Sequence, residues 1–177
     1  RSSMNVRPAI RNLAIVLAVI LVPVAAHQLW DYVELRRLIA EIEAIRAKGV
    51  NCVGEAVNVR DGEAYKTWLA KTVEALGGCD IFIPGVSAGG GMDSEKNWTR
   101  NFEIDVMHTV RGCEALMPHL EKSGQGSIVI IGSTNAVETF AAPMAYNAMK
   151  AGLITYGKQL SQFVGKSNVR VNSLCPG

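Results

Sequence analysis

The chain has 177 residues, of which 49% are apolar and 19% charged, enough apolar surface for one folded domain and unlike the composition of a disordered segment. A formal net charge of +2 gives no electrostatic footprint for nucleic acid, and no nucleic-acid-binding motif occurs. The four cysteines (Cys52, Cys79, Cys113, Cys175) include no C-x-x-C pair and make no metal-ligand spacing with His27, His108 or His119. Structural or surface roles are expected for all seven.

Residues 1–30 differ in character from the rest. Arg1, Arg7 and Arg11 precede an apolar run from Leu13 to Ala26, and Trp30, Tyr32, Arg36 and Arg37 follow it. Basic flanks, an apolar stretch and interfacial aromatics predict an apolar N-terminal helix that anchors the chain to a membrane through residues 13–30. The run has fourteen residues, and a spanning helix needs about twenty, so His27–Trp30 would have to contribute. A signal peptide also fits, with Val24-Ala25-Ala26 before a cleavage point. The alternative is a central parallel strand over Leu13–Val22, which is rich in β-branched residues. The first readings place the protein at a membrane with its catalytic part cytoplasmic, the last leaves it soluble in the cytoplasm.

From residue 31 onward the pattern is α/β. Leu35, Leu38, Ile39, Ile42 and Ile45 mark one face of a helix ending near Lys48-Gly49. Asn51–Val59 predicts a strand, Asp61 caps a helix running to Leu76, and Asp80–Ile83 is a short strand before a glycine-rich loop from Gly85 to Gly91. A helix starting at Asp93 or Ser94 is predicted to end before Pro118. Ser127–Gly132 is a buried strand, Tyr146 opens a helix to about Val164, and Val169–Leu174 is a last strand. Strands alternating with helices imply a parallel, doubly wound sheet.

The chemistry concentrates after residue 127. Tyr146 and Lys150 are four residues apart, hence on one helix face, and an ammonium there favours the phenolate over the phenol. Four tyrosines and eight lysines in such a chain make one such pair by chance roughly 0.2 times, and a solvated helix face is the ordinary explanation. Ser133, thirteen residues before the tyrosine at the end of a strand, moves the reading away from chance: a hydroxyl, a phenol and an ammonium together can move a proton to or from an alcohol or carbonyl oxygen.

From about Lys48 to Gly177 the chain resembles the short-chain dehydrogenase/reductase family. Asp80-Ile-Phe-Ile-Pro-Gly85 resembles the fourth strand and its cofactor-side loop, and Trp98–Pro118 the long interface helix. Gly126–Ser133 resembles the strand delivering the catalytic serine, Tyr146 and Lys150 match the Tyr-x-x-x-Lys pair, and Val169–Gly177 resembles the sixth strand and the turn at the nicotinamide. The resemblance implies a partial Rossmann-like domain over 31–177 that binds NAD or NADP and transfers a hydride between the cofactor and a small alcohol or carbonyl substrate. Tyr146 would be the general acid or base, Lys150 would tune it and hold the ribose hydroxyls, and Ser133 would hydrogen-bond the substrate oxygen. Gly85, Pro176 and Gly177 would line the cofactor, and the 98–117 helix could pair two copies of the chain. Loop 136–143, with Val137, Phe140, Ala141 and Ala142, would line the substrate site.

Several positions depart from the family pattern. Asp105 stands where the family carries an asparagine; an ionised carboxylate accepts hydrogen bonds without donating them and would draw Lys150 from Tyr146. Asn58 replaces the aspartate expected near the adenine, and the Asn-Asn-Ala-Gly loop reads Pro84-Gly85-Val86-Ser87. The glycine-rich pyrophosphate turn is not found in residues 1–50, whose only glycine is Gly49, and the chain stops where the family continues into a substrate lid. A competing reading therefore makes this a catalytically silent, membrane-attached or fragmentary dehydrogenase-like protein acting through partner binding. In a third, residues 1–48 derive from an unrelated protein.

Overall fold

The computed structural model describes residues 36–177 apart from 38 and 139–141. The apolar run Leu13–Ala26 and the boundary expected near residue 30 lie outside the described residues, as do Phe140 and Ala141 of the substrate-side loop. No helix of the described residues is long and apolar enough to cross a membrane. The chain divides into one unit ending at Gly54 and a second, Glu55–Gly177. In the first, residues 36–37 and 39–46 are helical (α1), and the helix closes in a turn at Gly49, whose φ of +77° suits glycine.

An irregular stretch follows α1 where a strand was expected. Residues 51–58 join no ladder. A strand needs a hydrogen-bonding neighbour, and none of the described strands lies beside this one. Its apolar residues are used all the same: Val57 and Val59 pack against the core, and the Arg111 guanidinium donates to the Val59 carbonyl (3.4 Å).

The next helix, α2 (Gly62–Leu76), follows the sequence expectation at both ends. The Asp61 carboxylate accepts from the Ala64 N–H (3.0 Å), and Gly77 closes the helix at φ +83°. Tyr65 and Leu69, four residues apart, are its buried face, and Trp68 stacks on Tyr65 with ring centroids 6.2 Å apart. Strand β1 (Ile81–Phe82) is shorter than the expected Asp80–Ile83.

The long helix after the glycine-rich loop comes in three parts. Ser94 is its N-cap, accepting from Asn97 N–H; α3 (Glu95–Asn101) runs into a π turn (Phe102–Met107) and then α4 (His108–Ser123). It does not stop before Pro118. The proline is exposed, as is Glu114, whose carbonyl loses its helical donor, so water can take that donor's place. Leu116 and Leu120 on the opposite face are buried at 4% and 0% exposure and hold the last turns down.

Strands β2 (Ser127–Ile131) and β3 (Arg170–Leu174) complete a parallel sheet in the order β1-β2-β3, with α5 (Met144–Val164) crossing between them. Ser127 pairs with both Ile81 and Arg170. The helices pack closely where glycine allows: a Cβ at Gly112 would lie 2.4 Å from Phe82 Cζ, and one at Gly157 2.9 Å from Ile130 Cδ1. Ile128, Ile130 and Leu153 are fully buried in this core. The opposite face is open within this unit, with Ile81, Ile83 and Leu174 at 62%, 55% and 56% exposure, and at the edge of the sheet an apolar cavity of about 380 Å³ lies along β1 and α2, lined from the core by Tyr65, Leu69 and Phe82. This is the Rossmann-like α/β arrangement expected, in partial form.

Gly126, at the turn into β2, is a direct check on this packing. An added Cβ would lie 2.6 Å from the Leu120 carbonyl oxygen, a backbone atom that cannot swing away. Gly126→Ala is expected to lower unfolding free energy by about 2 kcal/mol in urea titration, with an unchanged m-value. A change below about 0.5 kcal/mol would contradict the close approach.

Candidate active site

Parallel strands leave their loops at one edge, and in open α/β sheets ligands meet the carboxyl ends of the strands. Ser133 follows β2, Pro84 and Gly85 follow β1, and Cys175–Gly177 follows β3. The ends of β2 and β3 are stitched together, with Gly132 N–H donating to the Leu174 carbonyl (2.7 Å) and Thr134 N–H to the Pro176 carbonyl (3.0 Å). The C-terminal turn thereby sits directly beside the serine.

Ser133 is buried, with extended backbone, and its Oγ accepts from Asn135 N–H (3.2 Å) as the cap of a short 3₁₀ turn, Thr134–Ala136. That bond uses a lone pair of the hydroxyl and leaves its proton to donate.

Lys150 is the centre of the cluster. It is 3% exposed, and a buried ammonium needs partners. Nζ donates to the carbonyl of Ile131, the last residue of β2 (3.0 Å), and lies 3.6 Å from Asp105 Oδ1. It also stands over the Tyr146 ring, 5.6 Å from the centroid. One N–H thus has a carbonyl acceptor, the carboxylate balances the charge without a hydrogen bond, and donor capacity remains for a hydroxyl.

Asp105 is fully buried in the π turn. Such turns insert an extra residue into a helix and recur at functional sites. Its carboxylate accepts from Ser87 Oγ (2.6 Å) and from Ala88 N–H (3.3–3.4 Å), which binds the glycine-rich loop to the helix. The carboxylate faces the Lys150 ammonium, which nevertheless still stands over the Tyr146 ring.

The remaining expected residues are placed differently. Gly85 is exposed, and a Cβ there would approach only the Ile83 carbonyl, at 4.0 Å. Asn58 belongs to the turn before α2; its Oδ1 accepts from Arg60 N–H, and it is not in the hydrogen-bonded group around Lys150. Tyr65 and Tyr156 are not alternatives to Tyr146 as proton carriers, because burial pushes the Tyr65 phenol up to about 12 and Tyr156 higher still.

Two neighbours were missed by the sequence reading. Asn101, Asp105, His108 and Thr109 form a fully buried polar stripe at helical spacing, and that pattern was the available signal. His108 Nδ1 contacts the Ile104 carbonyl, and the Pro84 backbone also faces the ring, although Nε2 meets no hydrogen-bond partner at full geometry among the described residues. The other missed group is Ser87, whose place in the loop gave no sign of its bond to Asp105.

The family model described as "short chain dehydrogenase" matches residues 25–177. The chain belongs to this family. Isoepoxydon dehydrogenase of Aspergillus clavatus is 35% identical over 126 residues, covering 71% of this chain and 49% of the relative. Dehydrogenase/reductase SDR family member 4 of Bos taurus is 32% identical, covering 77% and 50%. Among solved structures, L-sorbose reductase of Gluconobacter frateurii, complexed with NADPH and L-sorbose, superposes with a TM-score of 0.75 at 29% identity, covering 80% of this chain and 56% of that one. Carveol dehydrogenase of Mycobacterium avium, in complex with NAD, gives 0.73 at 26% identity, covering 78% and 52%. The chain thus spans about half the length of the curated relatives it matches.

For a short-chain dehydrogenase cofactor, the residues at the strand ends suit the nicotinamide-ribose end. Lys150 keeps an N–H free of Ile131 and Asp105, Gly85 leaves open space, and Pro176–Gly177 turns against Thr134. The glycine-rich turn for the pyrophosphate is not written in the first fifty residues.

Burial holds the His108 imidazole below its ordinary value of 6.5; the Ile104 carbonyl, Asp105 and the Pro84 backbone oppose this and Lys150 adds to it. Above pH 6.5 the folded and unfolded chains are both neutral there; below it the unfolded chain takes up a proton that the folded one resists, so stability is lost as pH falls. The urea midpoint of the wild type is therefore expected to fall between about pH 7 and pH 5 more steeply than that of His108→Gln. Parallel pH profiles for the two proteins would contradict a buried neutral imidazole.

Proposed function

We propose that the protein is an NAD(P)-dependent oxidoreductase that interconverts an alcohol and a carbonyl, with Tyr146 as the acid/base. One observation carries this reading: Lys150, buried between the end of β2 and the π turn, stands over the Tyr146 ring at the same sheet edge as Ser133. Relatives named as dehydrogenases and reductases support it.

The Ser133 hydroxyl donates its remaining proton to the substrate oxygen and so stabilises charge developing there. Tyr146 Oη takes the alcohol proton in oxidation and returns it in reduction. Lys150 places a fixed positive charge beside the phenol, and its remaining donor capacity is available to a ribose hydroxyl. The nicotinamide supplies or accepts the hydride when bound. The Ile131 carbonyl holds the ammonium at the end of β2, and the Asp105 carboxylate competes with the Tyr146 ring for its charge. The substrate would enter beside Val137, which is 71% exposed and suits an apolar group next to the reacting carbon.

The test is titration of the protein with NAD(H) and NADP(H), followed by Trp68 and Trp98 fluorescence and by turnover on a panel of alcohols and ketones. Saturable binding and turnover are expected, with Tyr146→Phe keeping cofactor affinity within about threefold while lowering kcat by at least about 10²-fold. Absence of binding at millimolar cofactor would end the proposal; binding without turnover across the panel would favour the catalytically silent alternative.

Asp105→Asn tests the ion pair's part in the reaction. The amide keeps an acceptor oxygen for Ser87 and removes the charge that competes for Lys150, so turnover is expected to stay at or above the wild-type level. A loss beyond about tenfold would contradict this role.

A further inference from the structure

We propose that Asp93 is a positioning residue, holding the first turn of α5 and with it Tyr146. The first amides of a helix have no partners within it, and this is where helices fray. In α5 the N-cap residue is Pro143, whose side chain makes no capping hydrogen bond. The acceptors come instead from a residue fifty-one positions upstream of Met144: Asp93 Oδ2 accepts from Met144 N–H and Oδ1 from Ala145 N–H, each at 3.3 Å. Tyr146 is the next residue. A carboxylate at this end also meets the positive end of the helix dipole.

Asp93 can hold the helix because its own loop is held. Ser87 Oγ and Ala88 N–H are bonded to the buried Asp105, Asn97 Nδ2 donates to the Met92 carbonyl (2.6 Å), and Arg100 Nη1 donates to the Gly90 carbonyl (3.4 Å). Gly90, at φ +89°, brings the loop against Pro143: a Cβ there would lie 2.9 Å from Pro143 Cγ. The glycine-rich loop is therefore a brace with one end on the carboxylate facing Lys150 and the other on the amides preceding Tyr146. Asp93 does not touch substrate or cofactor in this scheme; it fixes where the phenol sits relative to Ser133 and Lys150. Its effect on catalysis rests on the proposed reaction, and its effect on the helix does not.

The experiment compares the wild type with Asp93→Ala and Asp93→Asn by amide hydrogen exchange, by the NMR signals of the Tyr146 ring and by steady-state kinetics. Asp93→Ala is expected to raise exchange at Met144 and Ala145 by about fivefold or more and to shift the Tyr146 ring signals. It should also lower kcat about tenfold while leaving the cofactor KM within about twofold. Asp93→Asn, with one acceptor oxygen in place of two, should fall between, and it decides the matter alone if the alanine variant does not fold. Unchanged exchange in the variants would overturn the proposal. So would faster exchange with Tyr146 signals at their wild-type positions, because the cap would then hold nothing that reaches the phenol. A wild type that binds no cofactor would remove the proposed reaction, and the exchange and ring signals would still decide for or against Asp93.

Discussion

A buried ammonium cannot stand alone, and the arrangement of this protein's site follows from how Lys150 is partnered. Its position at 3% exposure would be strongly unfavourable without compensation. The Ile131 carbonyl and the Asp105 carboxylate supply it, and each belongs to a different element. One side chain therefore ties α5 to the end of β2 and to the π turn between α3 and α4. Breaking such a pair from one side leaves the other charge buried, which is costlier than never having the pair.

The surrounding construction serves the same edge of the sheet. Ser133 and the Cys175–Gly177 turn are held together by backbone bonds between the ends of β2 and β3, and the glycine-rich loop is held to Asp105 by Ser87 and Ala88. Close packing at Gly112 and Gly157 sets the helices firmly on the sheet, so that small displacements of the reactive side chains meet resistance from a dense core. The side of β1 away from β2 is different: Ile81 and Ile83 stay exposed beside an apolar cavity that includes none of Ser133, Tyr146 or Lys150 in its lining.

Local features were legible in the sequence because their causes are local. The Asp61 cap, the Gly77 stop, the apolar run of β2 and the four-residue Tyr146/Lys150 spacing each depend on a few adjacent residues. Asn51–Val59 has the composition of a strand, but a strand also needs a neighbour, and composition does not report one. Pro118 should have ended its helix by the usual rule; its exposure, which no sequence pattern states, relieves the penalty. Asp105 could be singled out by its position, yet the bonds from Ser87 and Ala88 cross eighteen and seventeen residues, and Asp93 reaches Met144 across fifty-one. His108 was expected to be structural or on the surface, and its place in the buried stripe with Asn101 and Asp105 is visible only in the structure.

The most direct measurement of this account is a double-mutant cycle on stability between Lys150 and Asp105, using Lys150→Met, Asp105→Asn and the combined variant in urea unfolding. The account predicts a favourable coupling of about 2 kcal/mol, with each single change more damaging than its share of the double. A coupling within about 0.5 kcal/mol of zero would show that the ammonium and the carboxylate do not depend on each other, and would contradict it.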